Sequence, residues 1–302
     1  MNAAGPAHKV ILDAVLERWP EHESALERGL PENAEVAETT ELVSQLLSAF
    51  VGNDLDRFVH GYRWMCEMVL EEEFEFRRTG AYRYSRFADA LERVYSAPEV
   101  MGPYMDGLLL SQVLWSNHQT VLDFYRRCFV PQVARGRHLE VGPGHGLLLW
   151  MALQGRPAAA TAWDVSRTSL ERALHTIEQL GRPAEVAIAL VEQDLYGSDA
   201  TGRFDSVVIS EVLEHVERPL EALQRLRERM PVGGCIFVNA PVNSPALDHI
   251  FLFRTPEELA TIVEQAGFQV THSVFAPASG LTERRARKMG FAISTAIIGR
   301  AT

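Results

Sequence analysis

From residue 8 to about residue 130, apolar side chains recur at helical spacing. Leu42, Val43, Leu46, Leu47 and Phe50 form one stripe, and Leu55, Phe58, Val59, Tyr62, Cys66, Val69 and Leu70 form a second, longer one. Pro20, Gly29-Leu30-Pro31, Gly80, Pro98 and Gly102-Pro103 punctuate the series. The pattern predicts a run of helices, with Thr39 or Thr40 capping the Leu42 helix and a short strand pair around Tyr82–Tyr84. The first 30 or so residues, polar and rich in Glu and Pro, are expected to be only loosely attached. After about residue 131 the pattern alternates. Strand-like runs at 137–141, 159–164, 186–191, 205–210 and 235–240 are separated by helix-like runs at 146–154, 167–180, 219–230 and 256–266. Two late runs, 269–275 and 291–299, complete the sheet as a closing pair. Short apolar strands alternating with amphipathic helices predict an α/β architecture with a doubly wound, mostly parallel sheet. The boundary falls at residue 130, with a mainly helical domain over 1–130 and the sheet domain over 131–302.

Composition narrows the chemistry. The 302 residues are 47% hydrophobic and 23% charged, values of a globular chain. Cys66, Cys128 and Cys235 are widely separated and form no CxxC pair, which argues against a disulfide framework or a cysteine-rich zinc site. The polar start has no signal-peptide core and no apolar run reaches membrane-spanning length, so a cytoplasmic protein without a membrane partner is expected. The net charge of -11 is uneven: residues 1–130 carry 21 acidic and 12 basic side chains, the remainder 19 and 17. Nucleic-acid binders draw affinity from phosphate neutralisation, so no nucleic-acid partner is expected. The one dense basic run, Arg284, Arg285, Arg287 and Lys288, reads as a solvated face.

A doubly wound sheet binds its ligand outside the carboxyl ends of its strands. The first such end reads Glu140-Val-Gly-Pro-Gly-His-Gly146. Gly142, Gly144 and Gly146 permit a tight turn and close approach of backbone to ligand. A dinucleotide fingerprint needs a third glycine where Leu147 stands, and Glu140 would face the pyrophosphate of such a ligand unfavourably. The same carboxylate suits a ligand bearing an ammonium group. Asp164 ends the next strand, where an acid accepts both ribose hydroxyls, and Asp194 ends the third, in reach of an adenine amino group. Asp205 opens the fourth strand and is expected to bind backbone there. His145, inside the turn, is expected to be a surface filler.

The ordered set E-V-G-P-G-H-G, W-D, Q-D-L, F-D-S-V-V-I-S-E-V-L-E-H-V and P-V-G-G resembles the S-adenosylmethionine-dependent methyltransferases of Rossmann-like fold. The E-x-L-E-H-V stretch is closest to their small-molecule, ubiquinone-biosynthesis-like branch. The resemblance covers about residues 130–300. It implies a seven-stranded Rossmann-like sheet with S-adenosylmethionine as cofactor. Glu140 and the loop Gly142–Gly146 would then hold the methionine part, Asp164 the ribose, and Asp194 with Leu195 the adenine. Glu211 would line the pocket beside the cofactor. Met230 stands where the family usually has Lys or Arg before the Pro-Val-Gly-Gly turn.

A sulfonium is already an activated electrophile, so the protein mainly aligns the acceptor and excludes water. A phenol, carboxylic acid or enolisable carbon would gain from a nearby base. His249, beside Asp248 after the fifth strand, is the first candidate, and the competing view is that the pair anchors its loop. His215 is either a proton shuttle or a backbone-bonded helix-start residue. Asn239, at the end of the fifth strand, is a candidate for the acceptor. Glu211 and Asn239 alone do not make a metal site, so no metal is expected. In the helical segment, Tyr82, Tyr84, Tyr104, Met105, Trp115, Asn117 and His118 form an aromatic and polar set that either lines an aromatic-substrate pocket or packs the helices. Substrate-binding roles are carried forward for Tyr104, Trp115 and His118. The segment is expected to cap the substrate. Tyr95–Leu114 also resembles the dimerising segment of small-molecule O-methyltransferases, which leaves a homodimer open. The resulting expectation is a methyltransferase for a small organic acceptor in secondary metabolism, such as antibiotic biosynthesis. Non-methylating chemistry on the same cofactor, by cyclisation or decarboxylation, and a non-catalytic scaffold remain alternatives.

Overall fold

A computed structural model describes residues 4–197 and 202–302. The chain divides into two compact units that are not contiguous in sequence. A helical unit takes residues 1–123 and draws in 241–254 and 275–294. A sheet unit takes 124–240, 255–274 and 295–302.

The helical unit begins with α1 (Pro6–Arg18), α2 (Glu23–Arg28), α3 (Ala34–Val51) and α4 (Leu55–Thr79). Its start is not loose. The Glu41 carboxylate accepts the N–H groups of Ala7 and His8, both at 3.0 Å, satisfying orphan donors in the first turn of α1. Ile11 and Val15 are fully buried. The cap of α3 is Asn33, whose side chain accepts from Val36 N–H at 2.9 Å, and Thr39 and Thr40 lie buried inside the helix. Thr39 donates instead to Asp123 at 2.5 Å. The long α4 buries Phe58, Val59, Tyr62, Met65 and Phe76 along one side, as its stripe predicts, and ends at left-handed Gly80.

No strand pair forms at Tyr82–Tyr84. Arg83 turns back to the buried Glu72 at 2.7 Å, so side chains rather than a ladder hold this loop. The short α5 (Phe87–Ala90) runs into a wide turn over Leu91–Tyr95, then α6 (Pro98–Leu114) and α7 (Ser116–Phe124) follow. Among the described residues no helix is long and apolar enough to cross a membrane.

The seven strands are β1 (Arg137–Val141), β2 (Ala159–Asp164), β3 (Ala187–Glu192), β4 (Ser206–Ser210), β5 (Cys235–Val242), β6 (Phe268–Pro277) and β7 (Ile293–Ala301). Their order is β3-β2-β1-β4-β5-β7-β6. The four pairings from β3 to β5 are all parallel. All eight residues of β5 are buried, which explains its unbroken apolar run. The helices α8 (Leu147–Gln154), α9 (Arg167–Gln179), α10 (Pro219–Arg227) and α11 (Pro256–Gln265) connect the strands, and α12 (Glu283–Met289) lies between β6 and β7. Crossovers leave β1 and β4 in opposite directions, so the sheet's switch point lies between these neighbours.

Candidate active site

In the sheet unit the predicted cofactor residues sit at the carboxyl ends of adjacent strands. Glu140 lies near the end of β1, level with Ala162 of β2 and Val208 of β4. It is 2% exposed, and its Oε2 has no hydrogen-bond partner. Burial pushes its carboxyl well above the usual carboxylate range, against a backbone hydrogen bond from Leu149. Tyr125 is buried with it and donates its hydroxyl to Leu148 C=O at 3.2 Å. A buried acid with an unfilled lone pair calls for a donor, and a ligand ammonium would meet that need.

The turn after β1 is held at two glycines. Gly142 has φ of 66° and gives its N–H to Trp163 C=O at 2.8 Å. A Cβ there would lie 2.5 Å from Val212 Cγ2. Gly146 has φ of 80°, and a Cβ there would meet the backbone oxygen of Ala173 at 2.8 Å. The turn thus brings backbone close against neighbouring elements before α8 begins, an arrangement that presents N–H groups to a ligand. Gly144, between them, also has positive φ. His145 is not a surface filler: it is half-buried, its Nδ1 accepts Leu147 N–H at 3.3 Å, and burial lowers its pKa to about 4.

Asp164 ends β2. Its Oδ1 accepts Ser166 N–H and its Oδ2 the Ser169 hydroxyl, each at 2.8 Å, which fixes the carboxylate at the mouth of α9. Burial raises its pKa, opposed by these bonds. Gln193 N–H binds Asp164 C=O at 2.9 Å, so the chain after β3 runs beside it. Asp194 is exposed, with Oδ1 on Tyr196 N–H at 2.8 Å, and Leu195 is 9% exposed. Asp205 accepts Arg137 N–H at 2.8 Å, the backbone role expected of it.

Two residues predicted for different tasks form one pair. Glu211, just beyond β4, has φ of 53°, a left-handed conformation that non-glycine residues rarely hold. Its N–H binds Asn239 C=O at 2.8 Å, and Asn239 Nδ2 donates to Glu211 Oε1 at 2.7 Å and to Ser210 Oγ at 3.1 Å. Asn239 is 4% exposed and its Oδ1 has no hydrogen-bond partner. No local motif announces this link; it follows from β4 and β5 being neighbours in register, Ser210 opposite Asn239. His215 closes the turn Leu213–His215, its N–H on Val212 C=O at 3.0 Å and its Nε2 3.8 Å from buried Glu214.

The remaining candidates belong to the helical unit. His249 is 6% exposed and its Nδ1 lies 2.6 Å from Ser244 C=O. Asp248 is 4% exposed and accepts the hydroxyls of Tyr95 at 2.9 Å and Tyr104 at 3.1 Å. The structure therefore brings Tyr104 onto Asp248, the residue before His249, and adds Tyr95, which no motif singles out. Tyr82 accepts Ser244 N–H at 3.0 Å. Trp115 gives its indole N–H to Tyr62 at 3.0 Å, and His118 bonds Ser111 at 3.0 Å, the two rings 5.0 Å apart.

Comparison with known proteins accords with this geometry. A family model described as "Methyltransferase domain" matches residues 114–273, just over half of the chain. The ubiquinone biosynthesis O-methyltransferase of Chromobacterium violaceum is 36% identical over 118 residues, 38% of this chain and 48% of that protein. The one from Dinoroseobacter shibae is 29% identical over 177 residues, 50% of this chain and 67% of that protein. The chain thus spans about half the length of the first relative. Among solved structures, the S-adenosylmethionine-dependent methyltransferase SibL in its apo form aligns with a TM-score of 0.56 at 16% identity, covering 97% of this chain and 96% of that one. An O-methyltransferase family protein from Burkholderia thailandensis aligns with a TM-score of 0.53 at 18% identity, covering 82% and 72%. These two share the fold. With the family model matched across the strand ends that carry Glu140, Asp164 and Glu211, the chain belongs to the methyltransferase-domain family, on a Rossmann-like sheet.

Proposed function

We propose that this enzyme methylates an ionisable oxygen of a small organic acceptor, of the kind met in secondary metabolism. The observation that carries the reading is Glu140, a buried carboxyl with an unfilled acceptor at the end of β1, beside a turn whose Gly142 and Gly146 take positive φ and leave little room for a side chain. The naming of its relatives as O-methyltransferases supports oxygen as the acceptor atom. Bound S-adenosylmethionine supplies an activated methyl group on a sulfonium. Glu140 and the loop Gly142–Gly146 hold its methionine end, Asp164 receives the ribose hydroxyls, and Asp194 with Leu195 receives the adenine. Glu211, its backbone set by Asn239, lines the same strand ends. Asn239 Oδ1 offers an acceptor to a donor on the substrate. His249 takes the proton from the acceptor's hydroxyl, with His215 as the second candidate for that task. Tyr104, Trp115 and His118 shape the substrate's surroundings.

The test is calorimetric titration of the purified chain with S-adenosylmethionine, S-adenosylhomocysteine and NAD, followed by a mass-spectrometric screen of small phenols for the gain of one methyl. Micromolar binding of both adenosyl ligands, no binding of NAD, and a methylated phenol are expected. Cofactor binding with products lacking an added methyl would replace methyl transfer with other chemistry. Silence from all ligands would remove the cofactor assignment to these residues.

A further inference from the structure

The longest helix of the helical unit has an uncovered apolar side. α4 buries Phe58, Tyr62, Met65 and Phe76, yet Leu70 and Phe74, one turn apart, are 54% and 67% exposed. α12 adds Met289, 50% exposed. Arg77, one turn beyond Phe74, joins the two helices. It donates to the C=O groups of Met289 at 2.6 Å and Gly290 at 3.4 Å, with its guanidinium 4.3 Å above the Phe291 ring. Exposed large apolar side chains brought together in this way mark an interaction surface. Its charges are divided by sign. On α12 the fully buried Ala286 anchors the helix, and Arg287 is held at 2.7 Å by Glu283. Arg284, Arg285, Lys288 and Met289 are all exposed, and among the described residues no acid pairs with the three cations. On α4 the run from Glu67 to Phe76 holds Glu67, Glu71, Glu72, Glu73 and Glu75 and no base. Glu67 is held by Arg63 at 3.0 Å, whereas the exposed Glu71 has no ion-pair partner among the described residues.

We propose that this surface binds a second copy of the chain about a two-fold axis, with α4 of one protomer laid along α12 of the other and Phe74 and Met289 at the centre. A two-fold contact sets a patch against its own copy, so the anionic edge on α4 meets the cationic edge on α12 twice. That juxtaposition covers the apolar side chains and gives Glu71 and the three cations the opposite charges they lack. A uniformly acidic partner would leave Glu71 facing its own sign, and a uniformly basic one would do the same to Arg284, Arg285 and Lys288. The surface is distinct from the Tyr95–Leu114 segment. There α6 has Tyr104, Leu109, Leu110, Val113 and Leu114 buried within one chain. It is pressed onto α4 at paired glycines: a Cβ on Gly61 would lie 2.7 Å from Pro103 C=O, and one on Gly107 would lie 2.8 Å from Gly61 C=O. Those apolar side chains are therefore already covered without a partner.

Sedimentation velocity of the full chain tests this. The wild type is expected to dimerise at micromolar concentration in low salt, and to dissociate further in about 1 M salt, where charges are screened beyond about 3 Å. Phe74→Glu should raise the dimer dissociation constant at least about thirtyfold, the loss expected of an aromatic at an interface centre. Glu71→Arg should weaken the dimer severalfold. Adding Arg285→Glu to the same chain should restore it, because the pair re-forms with its signs exchanged. All three side chains are exposed, so the far-ultraviolet circular dichroism of each variant should match the wild type. A wild-type chain that stays monomeric up to its solubility limit would overturn the proposal. A dimer unweakened by Phe74→Glu would also overturn it, by placing the interface on another surface. A Glu71→Arg defect that Arg285→Glu leaves uncorrected would break the pairing of α4 with α12.

Discussion

The two units assemble their chemistry in opposite ways. In the sheet unit, Glu140, Asp164 and Glu211 come from the ends of β1, β2 and β4, and parallel pairing alone sets them side by side. Strand order translates sequence order into a site. In the helical unit, Tyr82, Tyr95 and Tyr104 converge on Ser244 and Asp248 from more than 140 residues away. There the side chains themselves hold the backbone together. A strand-end site should therefore tolerate loss of one side chain in folding while losing ligand affinity. A side-chain-built cluster should lose stability first.

The largest effect is expected at Glu140. Glu140→Ala should weaken S-adenosylmethionine binding by about 1–3 kcal/mol or more, which is roughly tenfold to over a hundredfold in dissociation constant. Calorimetry reads it, and unchanged affinity would mean that the strand-end residues do not form the pocket. A pH effect sharpens the point. The folded chain holds the Glu140 proton more tightly than the unfolded chain, because burial raises its pKa. Stability of the ligand-free protein should therefore fall as pH rises from the ordinary glutamate value of about 4.3 through the raised one. Glu140→Gln removes that titration. Urea unfolding at several pH values above about 4.3 should show the variant gaining on the wild type as pH increases. A constant difference between them would place a compensating cation beside the carboxylate.

In the helical unit the corresponding change is Tyr95→Phe or Tyr104→Phe. Each removes an O–H donor from a carboxylate that is 4% exposed, at about 1–3 kcal/mol of stability. The double variant should depart from additivity, because both donors serve Asp248. Urea midpoints check this, and cofactor affinity should hold in all three proteins. A loss of affinity as large as that of Glu140→Ala would erase the contrast between the units.

The same contrast governs what the sequence discloses. The strands stand out as short apolar or alternating runs, most of all β1, β4 and β5, which are almost wholly buried, and the acids of β1 to β4 stand where those runs stop. The helical half misleads where packing overrides local signals. Its third helix runs from Ala34 and is capped by Asn33, ahead of Thr39 and Thr40, a start the sequence hides because the apolar stripe begins only at Leu42. The alternation Tyr82-Arg83-Tyr84 mimics a strand, yet Arg83 points to Glu72 and Tyr82 to Ser244, so the alternating directions serve two side-chain bonds. The chain's division by compactness, which gives 241–254 and 275–294 to the helical unit, is a long-range property with no local mark. For the same reason Tyr95 escaped notice, and so did the bond between Asn239 and Glu211.

The smallest expected effect concerns Trp115, an aromatic that fits both packing and substrate contact. Its indole N–H is donor only, so Tyr62 must accept it, and the Tyr62 hydroxyl proton is then available to His22 Nε2 at 3.0 Å. Burial, helped by the Arg28 charge, lowers the His22 pKa to about 4, which keeps it a neutral acceptor above that pH. This relay gives Trp115 a structural task within the helices. Trp115→Phe should cost about 1 kcal/mol in urea unfolding, the net worth of one neutral hydrogen bond. Acidification should add to it. His22 resists protonation in the fold, so its contribution is complete above the ordinary histidine value of about 6.5 and fades as pH falls towards about 4. If Trp115 only packs, the variant's KM for the phenol substrate stays at the wild-type value while stability drops. A severalfold rise in KM without that drop would move Trp115 from the packing of the helices to the acceptor's surroundings, and with it part of the helical unit's side-chain framework would become substrate specificity.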